Sequence, residues 1–398
     1  MLPNINKYFS LFKYTAFTLL FITPILSFAN EYTVEEIILL EKELTKLRSE
    51  ILIAQNTTTN SYRRQNPSLY HLKKKSWGQS LQSISTANSI ATTEYKNYTN
   101  ILFGISLQGL NKKKEAIDYY NKVPNTSSYY ANAKINIALL YMHDGSINES
   151  FNIINRLLTD PLIILGGEEK NKILLTLGYL YYKEKKYTES RNVFRNIEVS
   201  SIHSNRALIG IALDALHLKD YSSSQHVLSL LNNKTNYDLP ADESYLLKAF
   251  TYQSQKKYTD STIAYNNAIS HYDKRIKNIN YLLHKSKSLA IDQVLDNHIF
   301  IVSSNKIDLS EEIAEVFFNN YILLKQLIQT IQKYGGTDTD MHTRATSLYA
   351  SYNSIINKLL IKALSKRKEI LSDYLRQSKY GLIISNDKSS SSEKDSGG

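Results

Sequence analysis

Residues 172–197, KILLTLGYLYYKEKKYTESRNVFRNI, hold the pattern that decides the fold. The small residue Gly178 is followed three places later by Tyr181, and a second small residue, Ser190, is followed four places later by Phe194. Two helices approach closely only where small side chains meet at their crossing, and large side chains fill the gaps beside it. This stretch therefore predicts a pair of antiparallel helices.

The same pattern recurs along the chain at steps of 34, 40, 34 and 37 residues. The first small position is occupied by Gly104, Ala138, Gly178, Ala212 and Ala249, and the second by Ala116, Ser150, Ser190, Ser224 and Ser261. The large residues are Leu107, Tyr141, Tyr181 and Tyr252 in one series, broken by Ala215, and Tyr120, Ile154, Phe194, Leu228 and Tyr265 in the other. A period near 34 is typical of a helix-turn-helix solenoid and not of a closed enzyme fold.

With Leu174, Leu177, Tyr187 and Ile197, the third unit resembles the tetratricopeptide pattern of paired aromatic and small positions. The resemblance covers about residues 96–275 and implies an all-α fold, an α-solenoid of about five helix pairs with helical flanks on both sides. We expect the turns within the pairs near Gly145, Lys185, Lys219 and Lys256. The resemblance also implies a scaffold for protein binding.

In tetratricopeptide domains the first helix of each pair lines a concave groove. The resemblance places large apolar residues there in this sequence: Ile101, Ile105, Ile135, Leu139, Leu175, Tyr179, Tyr182, Ile209, Leu213, Leu216, Leu246 and Phe250. An open groove of this composition exceeds the apolar area that monomers usually expose. Two coverings are open: an amphipathic helix of a protein partner, or the chain's own C-terminal helices, which are favoured because they lose no association entropy.

Residues 1–29 have the features of a cleaved signal peptide. Lys7 and Lys13 precede an apolar run over 14–26, and Ser27-Phe28-Ala29 ends in small residues at the expected spacing. The apolar stretch is shorter than the roughly 20 residues of a spanning helix, which argues against a membrane anchor. Together with a composition rich in Lys, Asn, Ile and Tyr, which suggests an AT-rich bacterial genome, this predicts export to the periplasm of a Gram-negative bacterium, where nucleic acid is not a partner.

The composition excludes several classes of site. The 398 residues contain no cysteine, so disulfides, thiolate zinc sites and lipoprotein acylation are excluded. The nine histidines form no metal motif, and no nucleophile elbow or glycine-rich phosphate loop occurs. We predict no catalytic residues, no cofactor and no metal, although an active site assembled from distant residues stays open.

Both flanks are predicted to be helical. Residues 30–95 begin with a capping box at Thr33 and Glu36 and an apolar seam over 33–55, which supports either a homo-oligomeric coiled coil or docking on the first repeat, followed by a linker. Residues 276–385 are predicted as a C-terminal helical region, with amphipathic helices from Ser310 to about Gly335 and from about Asp340 to Lys379, and 386–398 as a disordered tail.

Basic clusters remain after export, because removal of two lysines lowers the formal net charge only from +11 to +9. They are Arg63, Arg64 and 73–75 in one place and Lys358, Lys362 and 366–368 in another. A solvated helix face is the favoured interpretation, and peripheral membrane contact is the alternative.

The leading hypothesis is a non-enzymatic periplasmic scaffold that mediates protein–protein interaction in the cell envelope. Two alternatives stay open. One is an accessory subunit of an envelope enzyme or cell-wall hydrolase. The other resembles the Tol-Pal division coordinators, in which a coiled coil precedes tetratricopeptide repeats.

Overall fold

The protein is described from a computed structural model. It describes residues 111–163, 165–234, 238–285, 294–295, 299–302, 305–308 and 339–395, together with 43, 96, 97, 100, 101, 103, 104, 107, 108 and 328. These residues form two compact units. One contains 134–308 and 357–395, and the other contains 43, 96–133, 328 and 339–356.

Helices dominate the described residues. They are α1 Lys113–Asn121, α2 Tyr130–His143, α3 Ile147–Thr159, α4 Gly167–Lys183, α5 Tyr187–Phe194, α6 Ser204–His217, α7 Tyr221–Asn232, α8 Leu239–Ser254, α9 Tyr258–Lys285 and α10 Thr339–Asp395. Four helix pairs follow one another from α2 to α9, and we call them repeats 2 to 5. Repeat 1 consists of the helical residues before Asn111 together with α1. The predicted α-solenoid of helix pairs is confirmed.

Each repeat turns from its first helix to its second through the same tight motif. Asn111, Gly145, Lys185, Lys219 and Lys256 have φ between 60° and 83°. In repeat 3 the Lys186 N–H donates to the Tyr181 carbonyl at 2.9 Å, and the Lys185 N–H donates to Tyr182 at 2.9 Å. This is the Schellman pattern that satisfies the last carbonyls of a helix. The four turns expected from the sequence are confirmed, and Asn111 adds a fifth.

The two small positions of a repeat face each other across its helix pair. The hydroxyl of Ser190 donates to the carbonyl of Gly178 at 2.9 Å, and Ser150 and Ser261 donate in the same way to Ala138 and Ala249. A hydrogen bond of this kind requires the helix backbones to lie very close together. The 12-residue spacing in the sequence therefore marks the helix crossing.

Aromatic residues fill the space that glycine leaves. The Phe194 ring lies against Gly178 of its own repeat and Gly210 of the next, so that a Cβ at either glycine would collide with the ring. At the next interface, Leu247 of α8 takes the place of Gly210, and the smaller Leu228 of α7 takes the place of Phe194. Both leucines are buried in one cluster. Large and small residues thus alternate between neighbouring repeats to keep the packing dense.

A small antiparallel sheet follows α9. It consists of β1 Val294–Leu295, β2 Ile299–Val302 and β3 Asn305–Asp308, in the order β1-β2-β3. Val302 pairs with Asn305, so two residues connect β2 to β3. The sequence analysis assigned 276–385 to a C-terminal helical region and did not predict these strands. The run Ile299-Phe300-Ile301-Val302 combines β-branched and aromatic residues, which favour strands.

The C-terminal helix extends further than expected. Residues 386–398 were predicted to be disordered, but α10 continues to Asp395. The serine hydroxyls of Ser389 and Ser390 donate to the carbonyl of Asn386, at 2.9 and 3.0 Å. The Asn386 side chain accepts from Thr262 of α9 at 2.9 Å. These contacts hold a polar segment in the helix that composition alone assigns to a disordered tail.

Several predictions fall on residues outside the described part of the chain. They are the signal peptide over 1–29, the linker and first basic cluster, and most of the helix over 33–55. Of that helix, Glu43 is described. It is helical, and its Oε2 lies 3.9 Å from Nη2 of Arg344 in α10.

Candidate functional site

The twelve candidate groove residues lie mostly inside the protein. Ile101, Ile135, Leu139, Leu175, Tyr179, Ile209, Leu213, Leu216 and Leu246 are buried, each with at most 9% of its surface exposed. Tyr182 and Phe250 are partly buried, and Ile105 is outside the described residues. These positions are therefore mostly buried in the described part of the chain.

Neighbouring helices of the stack account for this burial. Leu175 and Tyr179 of α4 share a cluster with Phe194 of α5 and Ala207 of α6. Ile209 and Leu213 of α6 share another with residues of α7 and α8. The Tyr179 hydroxyl also donates to the Arg206 carbonyl at 3.1 Å. Helices of the same and of neighbouring repeats therefore contribute to the burial of these residues, and the covering of the groove by the C-terminal helices or by a partner helix stays a prediction.

A buried charged cluster joins repeat 5 to the C-terminal helix. Asp242 of α8 is fully buried and accepts from Nε and Nη2 of Arg275 at 3.0 and 3.2 Å. His271 Nε2 lies 2.8 Å from the same carboxylate, and Nη1 of Arg367 lies 3.9 Å from it. Burial opposes ionisation of Asp242, but Arg275, His271 and Arg367 outweigh it and lower its pKa. The carboxylate is therefore charged and holds three helices together.

A second buried ion pair links repeats 4 and 5. Nη1 of Arg206 lies 3.0 Å from Oε2 of Glu243, and at most 5% of either side chain is exposed. The guanidinium of Arg206 in α6 thus pairs with a carboxylate of α8, and its charge serves the contact between repeats.

A third cluster of polar side chains lies between repeats 3 and 4. The Tyr182 hydroxyl is 3.0 Å from Nε2 of His217, and the Tyr187 ring stacks on the His217 ring with centroids 4.2 Å apart. Burial lowers the pKa of His217 to about 4, so it is neutral near pH 7. The sequence analysis missed this contact because Tyr182 and His217 are 35 residues apart.

Asp214 stands out among the buried carboxylates. Its side chain is fully buried in α6, and burial raises its pKa to about 8 although Arg191 lowers it. Such a shift is a feature of many active sites. Here the carboxyl is enclosed by packed helices.

The chemistry of the described residues is that of packing and internal pairing. No group of three or more histidine, aspartate and glutamate side chains that could hold a metal ion occurs among them. Within the same part of the chain, no helix has both the length and the apolar character needed to cross a membrane.

Nine large apolar side chains are exposed in the described part of the chain, and five of them form two groups. Leu162, Val199 and Ile202 expose 77%, 89% and 57% of their surface in the loops that precede α4 and α6. Tyr380 and Ile383 expose 56% and 59% on α10. The sequence analysis singled out neither group, because exposure in a loop or at the end of a stack has no periodic signal.

Comparison with known proteins adds little to this description. No family model matches the sequence, and no curated protein matches it. Among solved structures, the chain is similar to one titled "Crystal Structure of the Apo Form of RapI", with a TM-score of 0.39 and 13% identity. The match covers 80% of this chain and 99% of that chain. A likeness at this level carries no functional argument, and the helical-repeat assignment rests on the helix pairs described above.

Proposed function

We propose that this protein is an exported, non-enzymatic helical-repeat scaffold that binds another protein of the bacterial cell envelope. The observation that carries the proposal is the apolar edge formed by Leu162, Val199 and Ile202. Both loops connect the second helix of one repeat to the first helix of the next. In a stack of repeats such loops lie along the same edge.

Exposed apolar side chains in neighbouring loops favour protein binding. A single exposed leucine is ordinary on a protein surface, but adjacent ones mark interaction sites. Val199 and Ile202 flank the buried Ser201, whose hydroxyl donates to Glu168 at 2.7 Å. That hydrogen bond ties the loop before α6 to α4 and gives the apolar residues a fixed position at low entropic cost.

A non-enzymatic role is supported by the use of the buried charges. Asp242 and Glu243 are paired with arginines of neighbouring helices, and Asp214 is enclosed. The export and the envelope location follow from the features of residues 1–29 and belong to the proposal.

The edge is tested by site-specific photocrosslinking in the host cell. A photoreactive amino acid at position 199 should give one discrete adduct, and Ile202→Glu should remove it. The matched control carries the same amino acid at Asn192, an exposed residue of α5. If positions 199 and 192 gave the same pattern, the edge would not be a binding site.

Export is tested on the same cells. We expect the tagged protein in the fraction released by osmotic shock, with a mature N-terminus after Ala29 by mass spectrometry. An intact N-terminus in the cytoplasmic fraction would refute the location.

A further inference from the structure

The second half of α10 occupies the place of the first helix of a sixth repeat. Gly381 lies against the Tyr265 ring of α9, as Gly210 lies against the Phe194 ring of α5. Four residues later, the hydroxyl of Ser385 lies 2.9 Å from that of Ser261. The equivalent hydroxyls of repeats 4 and 5, on Ser224 and Thr251, are 3.4 Å apart. The register of α10 on repeat 5 is fixed by these contacts.

This register shows which face of α10 is more exposed than the matching positions of the repeats. Tyr380 corresponds to Ile209 and Leu246, which are 0% and 2% exposed in repeats 4 and 5. Ile383 corresponds to Ala212 and Ala249, which are 1% and 0% exposed. In complete repeats, these positions are buried by the stack and the second helix. On α10 they are 56% and 59% exposed.

The exposed face is not shaped for an ordinary second helix. At the small position, all five repeats have glycine or alanine, and the close approach lets a serine hydroxyl reach the backbone carbonyl. Ile383 occupies that position in α10. Its branched side chain keeps a neighbouring helix farther away, at a distance where large side chains interdigitate.

We propose that two copies of this chain pair through α10, antiparallel, around a two-fold axis that passes between residues 381 and 382. Arg376, Tyr380, Ile383 and Asp387 follow one another at spacings of 4, 3 and 4 residues. At about 100° per residue they form one stripe along the helix. The spacing is the same in either direction, so an antiparallel copy places Tyr380 against Ile383 of the second copy.

The charges on the stripe select the antiparallel arrangement. Arg376, which pairs with Asp373 one turn away in its own helix and has 77% of its side chain exposed, lies at one end, and the exposed Asp387 lies at the other. The two-fold axis brings Arg376 of each copy to Asp387 of the other, whereas a parallel pair would bring like charges together. A two-fold interface uses the same patch on both copies, and this stripe is self-complementary in shape and charge.

The self-pairing is independent of the partner binding proposed above, and charge reversal on the purified mature chain tests it. By sedimentation velocity over a concentration series, the wild-type chain should form a dimer that weakens with salt. Arg376→Asp and Asp387→Arg, each alone, place like charges at both ends and should weaken the dimer at least about tenfold. The double variant should dimerise again.

Mixing the two single variants gives the sharpest result. Their charges are complementary only to each other, so a heterodimer should form where neither variant dimerises alone. Lys388→Asp is the matched control, because it makes the same charge change on an exposed residue off the stripe and should leave the dimer intact. Ile383→Glu should give a monomer with unchanged helical circular dichroism.

Two results would overturn the proposal. One is a wild-type chain that is monomeric at every concentration. The other is a dimer that the single charge reversals do not weaken, which would place self-association elsewhere, for example in residues 33–55.

Discussion

Arg367 and Asp242 are 125 residues apart in the chain, and their guanidinium and carboxylate groups lie 3.9 Å apart with neither side chain exposed. Asp242 belongs to the last complete repeat and Arg367 to the C-terminal helix. Because a buried charge without a partner is very unfavourable, this contact makes the C-terminal helix a component of the stack. Arg275 and His271 complete the shell around the same carboxylate.

Removing Arg367 should therefore loosen the C-terminal end of the stack. Arg367→Met keeps much of the side-chain volume and deletes the charge, and we expect a loss of about 2 to 4 kcal/mol, because Asp242 retains its other partners. Urea denaturation measures the loss, and hydrogen exchange should locate it in α9 and α10. Lys366→Met, on the exposed neighbour, is the control and should change stability by less than about 0.5 kcal/mol. Equal effects of the two variants would contradict the structural role.

The contact between Gly381 and Tyr265 should behave as a size-matched pair. Gly381→Leu forces a side chain into the Tyr265 ring and should destabilise the protein by about 1 to 3 kcal/mol or more. Adding Tyr265→Leu should restore part of the loss, because repeats 4 and 5 meet through Leu228 and Leu247 in the same way. Thermal unfolding compares the variants.

Gly167→Ala is the control for that series. A Cβ at Gly167 meets nothing within 4 Å, so this variant should be neutral or slightly more stable. If the double leucine variant were no more stable than Gly381→Leu alone, the assigned register of α10 would be wrong.

Replacing lysine by glycine in the turns should stabilise the protein. Lys185 and Lys256 both have φ of 62°, a backbone region that is unfavourable for residues with a Cβ. Lys185→Gly and Lys256→Gly should each raise the free energy of unfolding by about 1 kcal/mol. Lys186→Gly is the control, since Lys186 has φ of −86° and gains nothing from glycine. A loss of stability in the two turn variants would contradict the left-handed turns.

Asp214 should make stability depend on pH. Its pKa is about 8 in the folded protein, against the usual 3.8 that applies when the chain unfolds. Between these values the folded state binds the proton that the unfolded state has lost, so Asp214 lowers stability as pH rises. Burial lowers the pKa of His203 and His217 to about 4, below the usual 6.5. Between these two values the histidines increase stability as pH rises.

The window from pH 6.5 to 8 therefore isolates the carboxyl. In that window Asp214 should lower the free energy of unfolding by up to about 1.4 kcal/mol per pH unit. Asp214→Asn should remove the slope in chemical denaturation series. Asp273→Asn, at an exposed residue, should keep it. A slope that is the same in all three proteins would show that Asp214 is already ionised at neutral pH.

The helical repeat was readable from sequence because its determinants are local. The small residues twelve apart, such as Gly178 and Ser190, touch within one helix pair, and the turn at Lys185 lies between them. The strands at 294–308 and the helix beyond Asn386 were not predicted. Each segment takes its structure from the surface against which it packs. A short apolar run or a serine-rich tail does not specify that surface.

The candidate site was less accessible to sequence analysis. The repeat register identified the apolar positions on the first helices, including Leu175 and Ile209, but it did not reveal that neighbouring helices bury them. Exposure of Val199, Ile202 and Ile383 could not be read from the pattern. The identity of a residue at a repeat position does not show whether a neighbouring helix covers that residue.

The sequence by itself determined the repeat, its period, its crossings and its turns, because each of these is fixed by residues less than one repeat apart. The tertiary structure alone decided how the stack ends. Arg367 contacts Asp242, and Gly381 contacts Tyr265, although each pair is separated by more than 100 positions in the sequence. No periodic pattern links residues that are so far apart. Packing complementarity between distant segments selects those contacts, and it also leaves Tyr380 and Ile383 exposed.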